Sequence, residues 1–113
     1  RTGLYTSPHL ITLRERFVVD GEMVTDIEMA AALDEVRAAI DWLLEHGGLR
    51  AQPTFFEVVT SMALVMFRRR LVEIAVLEVG LGGRLDATNV LEPEVSIVTN
   101  VGADHLEVLG PTL

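Results

Sequence analysis

The sequence predicts an α/β fold in which part of a mostly parallel sheet is flanked by helices. Three observations carry that expectation. Two segments open with a Thr-x-x-Glu capping pattern followed by apolar residues at helical spacing. Residues 71–77 and 95–101 are near-continuous apolar runs, the composition of strands covered on both faces. Between them, residues 79–94 are long enough for the crossover of about a dozen residues that parallel neighbours require.

In chain order, Gly3 to Thr6 reads as a strand end that runs into Ser7-Pro8-His9-Leu10, where Pro8 cannot donate to a ladder. Residues 14–19, the Asp20-Gly21 turn and residues 22–24 read as a small β-hairpin. Thr25 and Glu28 form the first capping box, so a helix is expected over residues 26–46. Met29, Leu33, Val36, Ile40 and Leu43 make its apolar stripe, and Gly47-Gly48 its stop. Thr54 and Glu57 repeat the box. Residues 58–67 are apolar nearly all round, which marks a helix buried on most sides. Arg68-Arg69-Arg70 then complement its C-terminal dipole.

Composition narrows the function. The chain has 113 residues, 9 Lys+Arg against 17 Asp+Glu, and a formal charge of −8. All the cations are arginine, so no P-loop lysine, Schiff base or lysine general base lies within these residues. The acidic balance argues against nucleic acid as a partner. Mean hydropathy is +0.37, but the uncharged, mainly apolar run of residues 58–67 is about half of a membrane span, so no membrane association is expected. Zero Cys excludes disulfides and thiolate metal sites. No targeting segment is recognisable, which suits a cytoplasmic protein. The absence of an initiator Met and the final Gly110-Pro111-Thr112-Leu113 suggest that residues 1–113 are part of a single domain of something longer.

Ligands of open parallel sheets bind beyond the carboxyl ends of the strands. The first such end offers Glu78, then Gly80, Gly82, Gly83, Arg84, Asp86, Thr88 and Asn89; the second offers Asn100, Gly102, Asp104 and His105. Glu78 follows the four apolar residues 74–77 of an expected interior strand. It either reaches solvent at the rim or offsets its desolvation by binding a cation. Three glycines in four positions let backbone amides approach an anion, or merely make a flexible turn. If the two strands are neighbours, Glu78 and His105 can share a divalent ion, and an oxygen-and-nitrogen donor set suits Mg²⁺ or Mn²⁺ with phosphate completing the shell. His9 is a loop residue with equal claims to a structural and a substrate role. Glu57 belongs to its capping box, and His46 to a helix end.

Tyr5-Thr6-Ser7-Pro8-His9-Leu10, Arg14-Glu15-Arg16, Thr54-Phe55-Phe56-Glu57, residues 77–89 and Thr99-Asn100-Val101-Gly102-Ala103-Asp104-His105 occur in one order. Together they resemble the bacterial dihydrofolate synthase/folylpolyglutamate synthase family of the Mur ligase superfamily. The resemblance implies the P-loop NTPase-like central domain of an ATP-dependent ligase. That enzyme joins L-glutamate to dihydropteroate or to the glutamyl tail of folates through an acyl phosphate, and bacterial members commonly do both. It implies Glu78 as a Mg²⁺ ligand and His105 as a second metal ligand, both catalytic. It also implies pterin contacts from Asp86 in the Gly83, Arg84, Thr88 and Asn89 loop, and a substrate-bordering loop of Ser7, Pro8 and His9. The implied partners are folates, glutamate and ATP, with no nucleic acid or membrane and a monomeric parent. The family's Gly-Lys-Ser loop, its modified lysine and its C-terminal domain are not among these residues. The rival readings are a muramyl-peptide type ligase and a non-catalytic folate- or metal-binding remnant.

Overall fold

The computed structural model describes residues 1–100, 102 and 105–110. Its sheet contains β1 (Thr2–Tyr5), β2 (Phe17–Val19), β3 (Glu22–Met23) and β4 (Ile74–Leu77) in the order β3-β2-β1-β4. β1 and β4 are parallel, with Tyr5 opposite Leu77. β2 is antiparallel to both neighbours, with Gly3 opposite Val19 and Val19 opposite Glu22. The sheet is therefore mixed, and the mostly parallel arrangement expected from sequence holds only for β1 and β4. The cause is local: Asp20 and Gly21 take φ values of 52° and 85°, which turn β2 back into β3 as a hairpin.

The helices form where their caps place them. α1 (Asp26–Glu45) is capped by Thr25, whose hydroxyl accepts from the Glu28 amide while Glu28 accepts from the Thr25 amide at 2.8 Å. α2 (Phe55–Arg69) repeats this with Thr54 and Glu57. The buried line of α1 centres on Ala32 and Val36, with Met29 and Ile40 half-buried beside it, whereas Leu33 is exposed. α2 buries Val59, Met62, Ala63, Met66 and Phe67 and is the helix nearest the centre. Its arginines pair with carboxylates of α1 as well as facing a dipole: Arg68 and Arg69 both hold Glu35, and Arg70 holds Glu28.

The core joins β1 to α2. Tyr5 and Phe17 are fully buried and stacked with ring centroids 6.0 Å apart, and Phe56 lies 6.2 Å from Tyr5. The Tyr5 hydroxyl meets the buried Thr60 hydroxyl at 3.0 Å, so neither polar group is orphaned. A Cβ on Gly3 would stand 2.9 Å from the Phe67 ring, which is why β1 carries glycine where α2 crosses it.

Four expectations about the strands fail. Only the second half of residues 14–19 is a strand, because Leu13–Arg16 closes a 3-10 turn whose N-terminus is capped by Thr12 and Glu15. Of residues 71–77 only Ile74–Leu77 pairs, since Leu71 takes φ 53° at the end of α2. β4 is not covered on both faces: Ile74 is 67% and Val76 53% exposed. Residues 95–100 form no strand and are exposed throughout, since no described strand offers them a ladder. Val101, the last residue of that expected strand, lies outside the described residues.

Candidate functional site

The carboxyl ends of the parallel pair β1 and β4 lie side by side, and each runs directly into a loop. The Glu78 amide donates to the Tyr5 carbonyl at 2.9 Å, carrying the pairing one residue past β4. The Glu78 carboxylate then reaches across to the other loop, where its Oε2 accepts from the Ser7 amide at 2.7 Å. Glu78 thus ties the two strand ends together, and its second oxygen has no hydrogen-bond partner among the described residues.

The first loop begins with a cis Ser7-Pro8 bond. Its outer turn is organised by Glu15, whose carboxylate accepts from the amides of Leu10, Ile11 and Thr12 at 2.9, 2.9 and 2.7 Å. Those amides, Leu10's foremost, hold the Glu15 carboxyl below its ordinary value. Arg16, at the end of the 3-10 turn, is only 8% exposed. Its Nε donates to His9 Nδ1 at 2.9 Å, and its guanidinium carbon lies 5.6 Å from the Phe55 ring centroid. Because arginine always donates, His9 accepts at Nδ1.

The second loop is closed on itself by Asp86. Oδ2 accepts from the amides of Gly80 and Leu81 at 3.1 and 2.9 Å, and Oδ1 accepts from the amide and hydroxyl of Thr88 at 2.9 and 2.6 Å. Partial burial pushes the Asp86 carboxyl up, but these bonds, Thr88's hydroxyl first, outweigh it and leave the group below its usual value. Asn89 donates to the Arg84 carbonyl at 3.0 Å, and the Asp86 amide to the Gly83 carbonyl at 3.0 Å. Gly80 has to be glycine, since a Cβ there would stand 2.5 Å from the Phe56 ring. Gly82 takes φ 71°, and a Cβ on it would stand 2.7 Å from a Leu109 methyl, which places α3 (Leu106–Leu109) against this loop.

Between the loops is a cavity of about 360 Å³ lined by Ser7, Pro8, Arg16, Phe56, Gly80, Leu81 and Asp86. Of the sequence-derived substrate residues, Ser7, Pro8 and Asp86 line it, and His9 stands behind Arg16. Gly83, Arg84, Thr88 and Asn89 build the second loop through backbone and side-chain bonds. His105 immediately precedes α3, with φ 50°, and does not sit at the end of a strand adjoining Glu78; Asp104 lies outside the described residues. Among the described residues no group of three or more His, Asp or Glu side chains is gathered as a metal cage. Glu57 caps α2 as expected, and Thr54's amide and hydroxyl lower its carboxyl. Arg16 and Phe56 are lining residues that spacing did not mark: one lies in a turn that reads as strand, the other in a helix that reads as core.

This arrangement defines an α/β protein with a cleft at the carboxyl edge of its parallel strands. No helix among the described residues is long and apolar enough to cross a membrane. No protein-family model matches the chain. The chain is 46% identical over 111 residues to a probable bifunctional folylpolyglutamate synthase/dihydropteroate synthase of Halobacterium salinarum, covering 98% of the chain and 13% of that protein. It is 39% identical over 114 residues to the dihydrofolate synthase/folylpolyglutamate synthase of Bacillus subtilis, covering 98% of the chain and 26% of that protein. A solved FPGS–AMPPCP–folate complex superposes with a TM-score of 0.90 at 42% identity, over 98% of the chain and 27% of its own. Along nearly its whole length the chain is thus similar to members of the dihydrofolate synthase/folylpolyglutamate synthase family, and it spans about a quarter of their length or less.

Proposed function

We propose that residues 1–113 are part of the central ATPase-type domain of an ATP-dependent ligase that joins L-glutamate to dihydropteroate, to folates already carrying glutamate, or to both. The observation that carries the reading is the Glu78 carboxylate at the end of β4, which holds Ser7 over the cavity while keeping one oxygen free. The likeness to a folate-bound synthase supports the acceptor class. In this reading the acceptor carboxylate takes the γ-phosphoryl group of ATP and ADP leaves. The amine of glutamate then attacks the acyl carbon, expels phosphate and loses a proton.

The difficulty in this reaction is bringing a carboxylate to a triphosphate without repulsion. A divalent ion, Mg²⁺ or Mn²⁺, supplies the neutralising charge when bound. A single carboxylate with phosphate oxygens fits the sparse protein shell of Mg²⁺, and Glu78 is the residue that would hold it. His105 is proposed as a second ligand, supported by its place immediately before α3, whose Leu109 packs against Gly82. Ser7, Pro8 and Asp86 would border the acceptor, with His9 supporting from behind, while Gly83, Arg84, Thr88 and Asn89 shape the pterin side. Nucleotide binding is assigned to the longer protein, proposed to be monomeric and cytoplasmic.

Glu78→Gln tests this in the full-length protein. The amide oxygen of Gln still accepts from Ser7, so the loop stays tied while the charge is lost. Metal-dependent glutamate addition should fall at least about 100-fold with little change in thermal stability. Undiminished turnover refutes the role.

A further inference from the structure

Between β1 and the 3-10 turn the chain forms no ladder, and its amides go instead to one carbonyl and two carboxylates. Thr6 donates to the Arg16 carbonyl at 3.2 Å, Ser7 to Glu78, and Leu10, Ile11 and Thr12 all to Glu15. Side-chain packing does not hold the outer turn, because Leu10 is 90% and Ile11 93% exposed. The half-buried Glu15 holds it, with Oε2 on Leu10 and Oε1 on Ile11 and Thr12. A carboxylate on three consecutive amides is a charge-assisted clamp, stronger per bond than a neutral one.

Ser7, tied to Glu78, and Leu10, tied to Glu15, are separated by Pro8 and His9 alone. The ring of Pro8 fixes its φ, and His9 is held at Nδ1 by Arg16. A span of three residues reaches at most about 11 Å and carries little slack, so the place of the Leu10 amide bears on that of the Ser7 amide. Glu78 depends on that amide in turn, since the Ser7 amide is what its carboxylate accepts from among the described residues. Without it, the side-chain torsions of Glu78 are free to swing the second oxygen away from the end of β4.

We propose that Glu15 is a positioning residue for Glu78: its grip on residues 10–12 sets the Ser7 amide, and the Ser7 amide aims the remaining Glu78 oxygen at a divalent ion. The proposal rests on the reading of Glu78 as the metal carboxylate. Glu15 acts through the loop and not by contact with metal or substrate.

The test uses the full-length protein as wild type, Glu15→Gln, Glu78→Gln and the double variant. Gln at position 15 keeps one acceptor oxygen and turns an NH₂ toward an amide, so at least one of the three bonds is lost. Mn²⁺ binding with the ATP analogue AMPPCP present is read from the EPR signal of the free ion. It should weaken about 10-fold in Glu15→Gln, the lower end of what losing a supporting partner of a metal ligand costs. The Mg²⁺ concentration for half-maximal glutamate addition should rise to match, with the rate at saturating Mg²⁺ nearly kept. In the Glu78→Gln background the Glu15 substitution should weaken Mn²⁺ no further, because its effect runs through Glu78. Unchanged Mn²⁺ affinity in Glu15→Gln overturns the proposal, and faster amide exchange at residues 10–12 beside it marks a merely structural clamp. An equal further loss in the double variant overturns it as well. A Glu78→Gln protein that binds Mn²⁺ like the wild type ends the metal reading and this proposal together, whereas a normal Glu15→Gln beside a weakened Glu78→Gln ends this proposal alone. Where Glu15→Gln does not fold, Glu15→Asp, whose shorter side chain cannot reach all three amides, takes its place under the same criteria.

Discussion

Asp86 gives the sharpest separation between a carboxylate that builds a loop and one reserved for a ligand. Its two oxygens take four donors, two from Gly80 and Leu81 and two from Thr88. Asp86→Asn keeps one acceptor oxygen and turns the other into an NH₂ that faces donors. Either the Gly80 and Leu81 amides lose their acceptor, or the Thr88 amide does while its hydroxyl turns to accept from the new NH₂. Two bonds to a charged acceptor at a partly exposed site are worth about 1–3 kcal/mol together. That free energy belongs to local opening of the second loop, whose Leu85 and Val90 are largely exposed. At about 1.4 kcal/mol per tenfold, amide exchange of Gly80, Leu81 or Thr88 should accelerate roughly 5- to 100-fold in the ligand-free full-length protein. Hydrogen-exchange mass spectrometry over residues 79–90 reads this directly, with the peptide of α2 as the unchanged internal reference. Unaltered protection of all three amides without ligand refutes the clamp and returns Asp86 to a purely ligand-facing role.

Two further outcomes follow from backbone and charge. Leu71 holds φ 53° just past α2 and is 74% exposed, so Leu71→Gly relieves left-handed strain at little cost in burial. It should raise stability by about 1 kcal/mol in urea unfolding, and a lowered midpoint contradicts the strain argument. The Glu28 carboxyl is lowered from 4.5 to about 2, first by Arg70 and then by the amide and hydroxyl of Thr25. A depressed carboxylate contributes stability above its unfolded value and loses it as pH falls toward the folded one, so the contribution disappears between about pH 4.5 and 2. Discounted for solvent screening it amounts to about 1 kcal/mol, and Glu28→Gln should flatten the acid limb of thermal stability by that amount. An identical acid limb in the variant sinks the assignment.

What was legible in the sequence is what depends on neighbours three or four residues away. Both capping boxes, the Asp20-Gly21 turn and the left-handed Gly47 after α1 are set by such short-range chemistry, and each lies where the pattern puts it. Strand pairing depends on partners far along the chain, and there the reading weakened. Residues 95–100 have the composition of a buried strand, but composition supplies no ladder. Arg14, Glu15 and Arg16 looked like strand continuation, because alternation cannot show that a glutamate will gather three preceding amides and curl the segment into a turn. Glu78 was identifiable as a carboxylate out of place at the end of an apolar strand. Its partner, the Ser7 amide, is 71 residues away and carries no side-chain signature.

The acidic balance takes on a definite physical meaning once these partners are known. Glu15, Glu28, Glu57, Glu78 and Asp86 all accept from backbone amides, at turns and helix starts where those amides have no other acceptor. Much of the chain's negative charge therefore closes its own loops and is not, by itself, a sign of cation binding. The positive charges follow the opposite logic, since arginines at the helix ends find carboxylates on the surface. Among the described residues only two polar ones are buried, Thr60 and Arg16. Thr60 is satisfied within the core by Tyr5, whereas Arg16 meets a neutral ring nitrogen and a cavity. Arg16 is thus held at the core's edge, by His9 on one side and the Phe55 ring on the other, whereas Thr60 is closed inside the core.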